Sequence, residues 1–212
     1  MFTGIVEETG TLLELEPRGS GRRLKIAARS ACEDLAIGDS IAVDGCCLTA
    51  VEAGPDYLFF DVLAETMRLT RLAQVAVGDP LNLERSLRYA GKVGGHFVSG
   101  HIDALGTVEE FSARGSDHYL RIAVPSAFSR YLIYKGSVAI NGVSLTVAEL
   151  HPDAFAVWLI PHTLKATNLG GLTPGAVVNL EFDLLGKYVE RLFPGFRELK
   201  DSTTVQADAR AV

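Results

Sequence analysis

Hydrophobic and polar positions alternate along most of this chain in short runs, and the pattern is that of strands. Runs rich in Val, Ile, Leu, Thr and Phe are broken by Gly, Pro or Asp about every 8–12 residues, the rhythm of a small barrel or sandwich. Val143-Ser144-Leu145-Thr146-Val147 shows the period plainly. Alternate side chains of a strand point to opposite faces, so Val143, Leu145 and Val147 are expected in a core, with Ser144 and Thr146 on the other face. Val43-Asp44-Gly45-Cys46 and Ile140-Asn141-Gly142-Val143 carry hairpin-turn signals. Short helices are predicted after Ser30, with Glu33 in capping-box position, and after Thr66 and Thr163. Then the period changes. Leu184, Leu185, Tyr188, Val189, Leu192 and Phe193 recur at helical spacing, and Pro194-Gly195 is expected to stop that helix. The polar, Ala-rich stretch 201–212 is expected to be a flexible tail.

The strand pattern is written twice. Thr3-Gly4-Ile5-Val6 matches Ser99-Gly100-His101-Ile102, and Leu24-Lys25-Ile26-Ala27 matches Leu120-Arg121-Ile122-Ala123, at a spacing of 96 residues. One inserted residue near Tyr134 makes the spacing 97 thereafter. Gly45, Leu48 and Thr49 then recur as Gly142, Leu145 and Thr146, and Asn82-Leu83-Glu84 as Asn179-Leu180-Glu181. Glycines and threonines hold register along with the apolar positions, so the chain reads as an internal duplication. The fold class is all-β, with two copies over 1–97 and 98–183 joined near the Gly-rich stretch 90–95. A C-terminal helix over 184–200 follows, then the tail.

Composition narrows the partners. A net charge of −6 argues against nucleic acid, whose phosphates require a concentrated basic surface. No apolar run is long enough to span a membrane as a helix, and the start lacks a signal-peptide pattern. Three cysteines, two of them adjacent and none in a CxxC pair, argue against a zinc site or a disulfide framework. They fit a reducing, cytoplasmic setting.

The repeat also exposes the candidate chemistry. Cys47 and Thr49 occupy the positions of Ser144 and Thr146, so Cys46 is expected to pack inward and Cys47 to lie on the polar face. The copies differ at Ile5 against His101, Gly38 against Lys135, Glu65 against His162, and Ser86 against Asp183. His96, after Gly94-Gly95, reads as an anchor of the linker.

These residues carry a resemblance. Met1-Phe2-Thr3-Gly4-Ile5-Val6, Gly45-Cys46-Cys47-Leu48-Thr49, Gly94-Gly95-His96 with Ser99-Gly100-His101, Gly142-Val143-Ser144-Leu145-Thr146 and Ile160-Pro161-His162-Thr163 resemble the riboflavin synthase family over roughly residues 1–195. The resemblance implies a six-stranded Greek-key barrel per copy and a homotrimer joined through C-terminal helices. It implies two molecules of 6,7-dimethyl-8-ribityllumazine as substrates and no cofactor or metal. The products would be riboflavin and 5-amino-6-ribitylaminopyrimidinedione, the site lying between the N-terminal barrel of one subunit and the C-terminal barrel of another. An association with lumazine synthase is a further expectation. Carried over residue by residue, a first pocket would use Gly4, Ile5, Val6, Cys47, Leu48 and Thr49, with Asp61-Val62-Leu63-Ala64-Glu65-Thr66. A second would use Gly100, His101, Ile102, Lys135, Ser144, Leu145 and Thr146, with Trp158-Leu159-Ile160-Pro161-His162-Thr163. His162 is a departure, since some members carry Glu there.

A lumazine is a flat, electron-poor bicycle with amide-like edges and a polyol chain. Apolar side chains can hold its faces, backbone groups its edges, and hydroxyls its polyol. The reaction needs a proton removed from an acidic ring methyl and carbon–carbon bonds formed between stacked rings. Juxtaposition of the two rings supplies much of the rate. Ser144, Cys47, Asp183, His101 and Lys135 are the expected catalytic groups, in that order. The rival reading is a lumazine or flavin carrier that keeps the pockets without catalysis. A flavin-dependent reductase would need a Gly-rich nucleotide-binding turn, which the chain lacks.

Overall fold

A computed structural model describes residues 1–193. The stop at Pro194-Gly195, the part of the helix expected over 194–200 and the tail over 201–212 lie outside the described residues. Twelve strands are described: β1 (Glu8–Arg18), β2 (Gly21–Ala27), β3 (Ser40–Val43), β4 (Cys46–Ala53), β5 (Tyr57–Val62), β6 (Pro80–Arg85), β7 (Ala104–Arg114), β8 (Asp117–Ala123), β9 (Ser137–Ile140), β10 (Val143–Leu150), β11 (Ala154–Leu159) and β12 (Val177–Phe182). They close into two antiparallel six-stranded barrels of the same order, β1-β2-β5-β4-β3-β6 and β7-β8-β11-β10-β9-β12. In each, the fifth strand of the copy returns past two others to pair with the second, which is the Greek-key step.

The alternating pattern explains the walls. Leu12, Leu24, Ile26, Ile41, Val43, Leu48, Leu58, Phe60, Leu81 and Leu83 fill the first barrel. Leu120, Ile122, Val138, Ile140, Val143, Val147, Phe155, Val157 and Leu180 fill the second. Closing only six strands demands strong local bending. Register shifts at Leu12/Glu14 and Ala50/Glu52 recur at Val108/Glu110 and Val147/Glu149, extra residues that bend both barrels at matching points.

The helical segments differ in detail from the sequence expectation. Ser30–Cys32 is a single 3₁₀ turn with no capping box. The Glu8 carboxylate, from β1, accepts the amides of Arg29 and Ala31 and so takes the role expected of Glu33. Helices α1 (Ala64–Leu69) and α2 (Pro161–Ala166) begin before Thr66 and Thr163. The threonines that cap are Thr70 and Thr167, whose hydroxyls accept the amides of Leu72 and Leu169 at the 3₁₀ turns that follow. Helix α3 (Leu184–Leu192) is capped by Asp183, whose Oδ1 accepts the Leu185 amide at 3.0 Å.

The barrels meet about a pseudo-twofold axis, across a buried polar seam. The turns Asp44-Gly45 and Asn141-Gly142 face each other there, all four residues in the left-handed region. A Cβ on Gly45 would sit 2.7 Å from the Gly142 amide nitrogen, and one on Gly142 equally close to that of Gly45, so only glycine allows this approach. Asn82 Nδ2 donates to the Asn141 carbonyl, and Asn179 Nδ2 donates to the Asp44 carbonyl, both at 2.9 Å. Asn168 donates its amide to Asn82 Oδ1, and Arg71 donates its amide to Asn179 Oδ1, both at 2.7 Å. The fully buried Asp44 carboxyl also takes the Asn82 amide, Asn168 Nδ2 and the Arg71 guanidinium.

Leaving Asp44's partners unpaired is costly, so Asp44→Ala should lower the free energy of unfolding by about 3–5 kcal/mol in urea titrations. The strand faces make a second test. Val143 lies in the second core, whereas Ser144 is half-buried on the opposite face. Val143→Ser should cost about 1–3 kcal/mol, and Ser144→Ala less than about 1 kcal/mol. The reverse order would show the faces to be wrongly assigned.

Candidate functional site

Segments 2–6 and 98–102, which precede β1 and β7, position the site. They meet on the axis, where Phe2 and Val98 pair in both directions (amide to carbonyl, 2.7 and 3.1 Å) and bury against Ala42 and Ala139. Each is held at its base by a glutamate of its own barrel. Glu84 accepts the Thr3 amide, the Thr3 hydroxyl and the Gly4 amide at 2.6, 2.8 and 3.0 Å. Glu181 accepts the Ser99 amide, the Ser99 hydroxyl and the Gly100 amide at 2.6, 2.7 and 2.9 Å. Burial pushes the Glu84 carboxyl up, and these hydrogen bonds oppose the shift. Sequence reasoning missed both glutamates as site-builders. Their signal was the repeated Asn-Leu-Glu of Asn82-Leu83-Glu84 and Asn179-Leu180-Glu181, an acid at the same place in both copies.

Past the axis each segment docks on the other copy's barrel. The Ser144 amide donates to the Gly4 carbonyl at 2.8 Å, and the Cys47 amide donates to the Gly100 carbonyl at 2.8 Å. Val6 packs against the second core and Ile102 against the first. This corrects the grouping expected from the sequence. Gly4, Ile5 and Val6 belong beside Ser144, Leu145 and Thr146, while Gly100, His101 and Ile102 belong beside Cys47, Leu48 and Thr49. The physical reason is the Phe2–Val98 pairing, which brings the two segments together on the axis and sends each onward across it.

Two pseudo-equivalent corners result. At the first, Cys46 points into the core and burial raises its thiol to about 12, which makes it chemically inert. Adjacent Cys47 is half-buried on the opposite face, and Thr49 beyond it is exposed. Asp61, Leu63, Ala64 and Glu65 are exposed where β5 runs into α1, with Val62 buried and Thr66 half-buried. Glu65 is engaged by Arg68, through two hydrogen bonds. At the second corner Ser144 and Leu145 are half-buried and Thr146 is exposed. Trp158, Ile160, Pro161 and His162 are exposed where β11 runs into α2, with Leu159 buried and Thr163 half-buried. Hydroxyls and apolar surface thus lie side by side at both corners, as a flat ring bearing a polyol requires.

The other expected groups are less closely gathered. The His101 ring is exposed, and its amide donates to Ser99 Oγ at 3.3 Å. Lys135 is exposed in a left-handed conformation (φ 64°) where the first copy has Gly38. Its amide donates to the Val147 carbonyl. A lysine at a position that favours glycine costs about 1 kcal/mol or more, strain of a kind that clusters at functional sites. Asp183 caps α3. Among the described residues no hydrogen bond joins His101, Lys135 or Asp183 to Cys47 or Ser144. His96 does reach the second corner, with Nδ1 2.7 Å from Ser144 Oγ. From the sequence alone it reads as an anchor of the linker.

Comparison with known proteins gives the same two-domain architecture. The lumazine binding domain matches twice, at residues 3–86 and 99–183. The riboflavin synthase of Mycobacterium bovis is 45% identical over 91% of this chain and 98% of its own. That of Actinobacillus pleuropneumoniae is 41% identical over 90% and 89%, and that of Bacillus subtilis 38% identical over 97% and 95%. Crystal structures of LumP superpose on both barrels. The complex with riboflavin gives a TM-score of 0.81 at 26% identity, covering 86% of this chain and 99% of that one. The complex with 6,7-dimethyl-8-ribityllumazine gives 0.77 at 27%, covering 85% and 98%. With its lumazine-binding domain present twice and these relatives aligned over nearly their whole length, the chain belongs to the riboflavin synthase family.

Proposed function

We propose that each corner binds one molecule of 6,7-dimethyl-8-ribityllumazine and that the chain transfers a four-carbon unit between two of them, releasing riboflavin and 5-amino-6-ribitylaminopyrimidinedione. The observation that carries this is the pair of crossed corners. Two sites of one design, each offering backbone edges, a hydroxyl-bearing strand and apolar surface, suit two copies of one substrate. The substrates are identical but one must donate carbon and the other accept it, so the sites must differ. Cys47 against Ser144, Gly38 against Lys135 and Ser86 against Asp183 supply that difference. One substrate is cleaved as the other grows, so electrons balance between them without an outside oxidant.

Among the catalytic roles, Ser144 is placed on the ring that loses a methyl proton, with Thr146 and Thr49 on the ribityl chains. Cys47 holds the other ring. Lys135, His101 and Asp183 are charged or titratable groups for the partner ring, which a second subunit would bring close. Helix α3 supports such an assembly. Leu185, Tyr188, Val189 and Leu192 follow a helical stripe and are 56–70% exposed, an apolar face that a second copy would cover. We assign it to a homotrimer that works in the cytoplasm. An association with lumazine synthase, whose product would be this substrate, belongs to the same reading.

Purified protein, treated with chelator and dialysed, should convert the lumazine to riboflavin at an undiminished rate. A requirement for metal or nicotinamide would overturn the reading, and unchanged lumazine would mark a carrier. Leu185→Glu combined with Val189→Glu should reduce the mass measured by light scattering from trimer to monomer. Retention of the trimer would reject α3 as its seam.

A further inference from the structure

Helix α3 docks with its polar side inward. Lys187 and Glu190 are half-buried against the second barrel, whereas Leu185, Tyr188, Val189 and Leu192 are exposed. Burial of apolar surface would favour the opposite roll of the helix, so polar contacts hold it in this one. Glu190 takes the Tyr131 hydroxyl and lies 2.8 Å from Arg130 Nε, both on the 3₁₀ turn Ser126–Tyr131. Lys187 Nζ lies 2.6 Å from Asp103 Oδ2, the two side chains being 25% and 19% exposed. A pair so sheltered is screened less by salt than a surface pair.

The repeat shows this contact to be peculiar to the second copy. Glu7 corresponds to Asp103, and Arg85 to Phe182. In the first copy the Glu7 carboxylate accepts the Arg85 amide at 3.2 Å and pairs with the Arg85 guanidinium at 2.8 Å, so acid, amide and cation all belong to one barrel. In the second copy Asp103 accepts the Phe182 amide at 2.9 Å in the same way. Phe182 brings no cation. Its ring stacks on Phe128, and α3 supplies the charge through Lys187. Asp103 directly follows the segment 98–102, which docks on Cys47. The Gly100 carbonyl accepts the Cys47 amide at 2.8 Å, and Ile102 packs against the first core. Gly100 lies so close that a Cβ on it would fall 2.5 Å from Cys47 Cβ. The segment thus shields one side of the Cys47 side chain.

We infer that Lys187 is a positioning residue for the Cys47 corner. Through Asp103 it ties the roll of α3 to the seat of residues 99–102, so the helix proposed to join subunits also fixes one wall of a substrate corner. Glu181, on β12, holds the segment at Ser99 and Gly100. Asp103 with Lys187 holds its other end, where β12 runs into α3 at the Asp183 cap. Losing Lys187 leaves the Asp103 carboxylate without its cation, frees α3 to turn, and loosens the segment at its Ile102 end. The segment docked at the Ser144 corner is held instead by Glu7 and Arg85, both of the first copy. Only the effect on turnover rests on the riboflavin synthase reading; the coupling of helix to segment does not.

The test is the rate at which iodoacetamide alkylates Cys47 in the full-length chain, read by peptide mass mapping. Cys32, whose thiol donates to the Ala28 and Tyr57 carbonyls, is the internal reference, and buried Cys46 should stay unmodified. In Lys187→Met the Cys47 rate should rise about threefold or more, because the segment opens more often. The Cys32 rate should not change, as it would in a general loosening of the fold. For 6,7-dimethyl-8-ribityllumazine, kcat/KM should fall about tenfold, the cost of a misplaced wall. Lys187→Arg keeps a cation of similar reach and should bring both measurements to within about twofold of wild type. An unchanged Cys47 rate or an unchanged kcat/KM in Lys187→Met, or changes that Lys187→Arg does not reverse, would overturn the inference. Should light scattering show that Lys187→Met has left the trimer, the Leu185→Glu, Val189→Glu protein, which keeps Lys187, becomes the reference. A Cys47 rate above that of the reference supports the link, and an equal rate overturns it. A wild-type protein that forms no riboflavin would overturn the reaction reading and leave the alkylation rates to decide the coupling.

Discussion

The close approach of two hairpin turns on a pseudo-twofold axis is the constraint on which the rest of this structure depends. Gly45 and Gly142 bring backbone against backbone, and the space around them is closed to water. Every polar group drawn into that seam must then find a partner, because an unpaired buried amide or carboxyl costs about as much as a sizeable share of a domain's stability. Asn82, Asn141, Asn168 and Asn179 meet that demand with Asp44 and Arg71, each copy satisfying groups of the other. Two barrels that each have their own apolar core are thereby held in one orientation by hydrogen bonds rather than by a broad greasy interface. Hydrogen bonds fix direction as well as distance, which apolar contact does not.

That orientation creates the site. Only when the turns are in register do Phe2 and Val98 pair, and only then do Gly4 and Gly100 reach Ser144 and Cys47. Each corner is therefore a joint product of both copies. A boundary near residue 97 falls between Thr3 and the Ser99 that mirrors it, so cutting there would leave Cys47 without Gly100. The domain matched twice in the sequence and the corner proposed to hold a lumazine are different divisions of the chain.

Duplication followed by divergence also accounts for how one protein handles two identical substrates unequally. The shared frame is kept by residues that occur in both copies, Glu84 with Glu181 and Asn82 with Asn179. The copies differ at Cys47 against Ser144, within the corners, and at Gly38 against Lys135. Lys135 keeps its side chain in a backbone conformation that glycine holds more easily in the other copy, a local cost accepted at that place.

Much of this was legible in the sequence. The period of two determined which residues form the cores, and it placed Cys46 and Cys47 on opposite faces and Ser144 opposite Val143. These are local consequences of strand geometry and need no knowledge of the rest of the chain. The repeat determined that there are two copies of one fold, and the family motifs determined the chemistry they serve. Tertiary structure alone decided which barrel receives which segment, since residues 4–6 carry the same apolar pattern whether they dock on their own barrel or on the other. It decided that the helices expected after Thr66 and Thr163 begin before them, with Thr70 and Thr167 capping the turns that follow, and that Glu8 does the work expected of Glu33, because caps are chosen by which side chain reaches a free amide in space. It decided the partner of His96 as well. Ser144 lies 48 residues away in the chain, and a contact across that distance depends on barrel closure and on the seam, neither of which leaves a mark at either position.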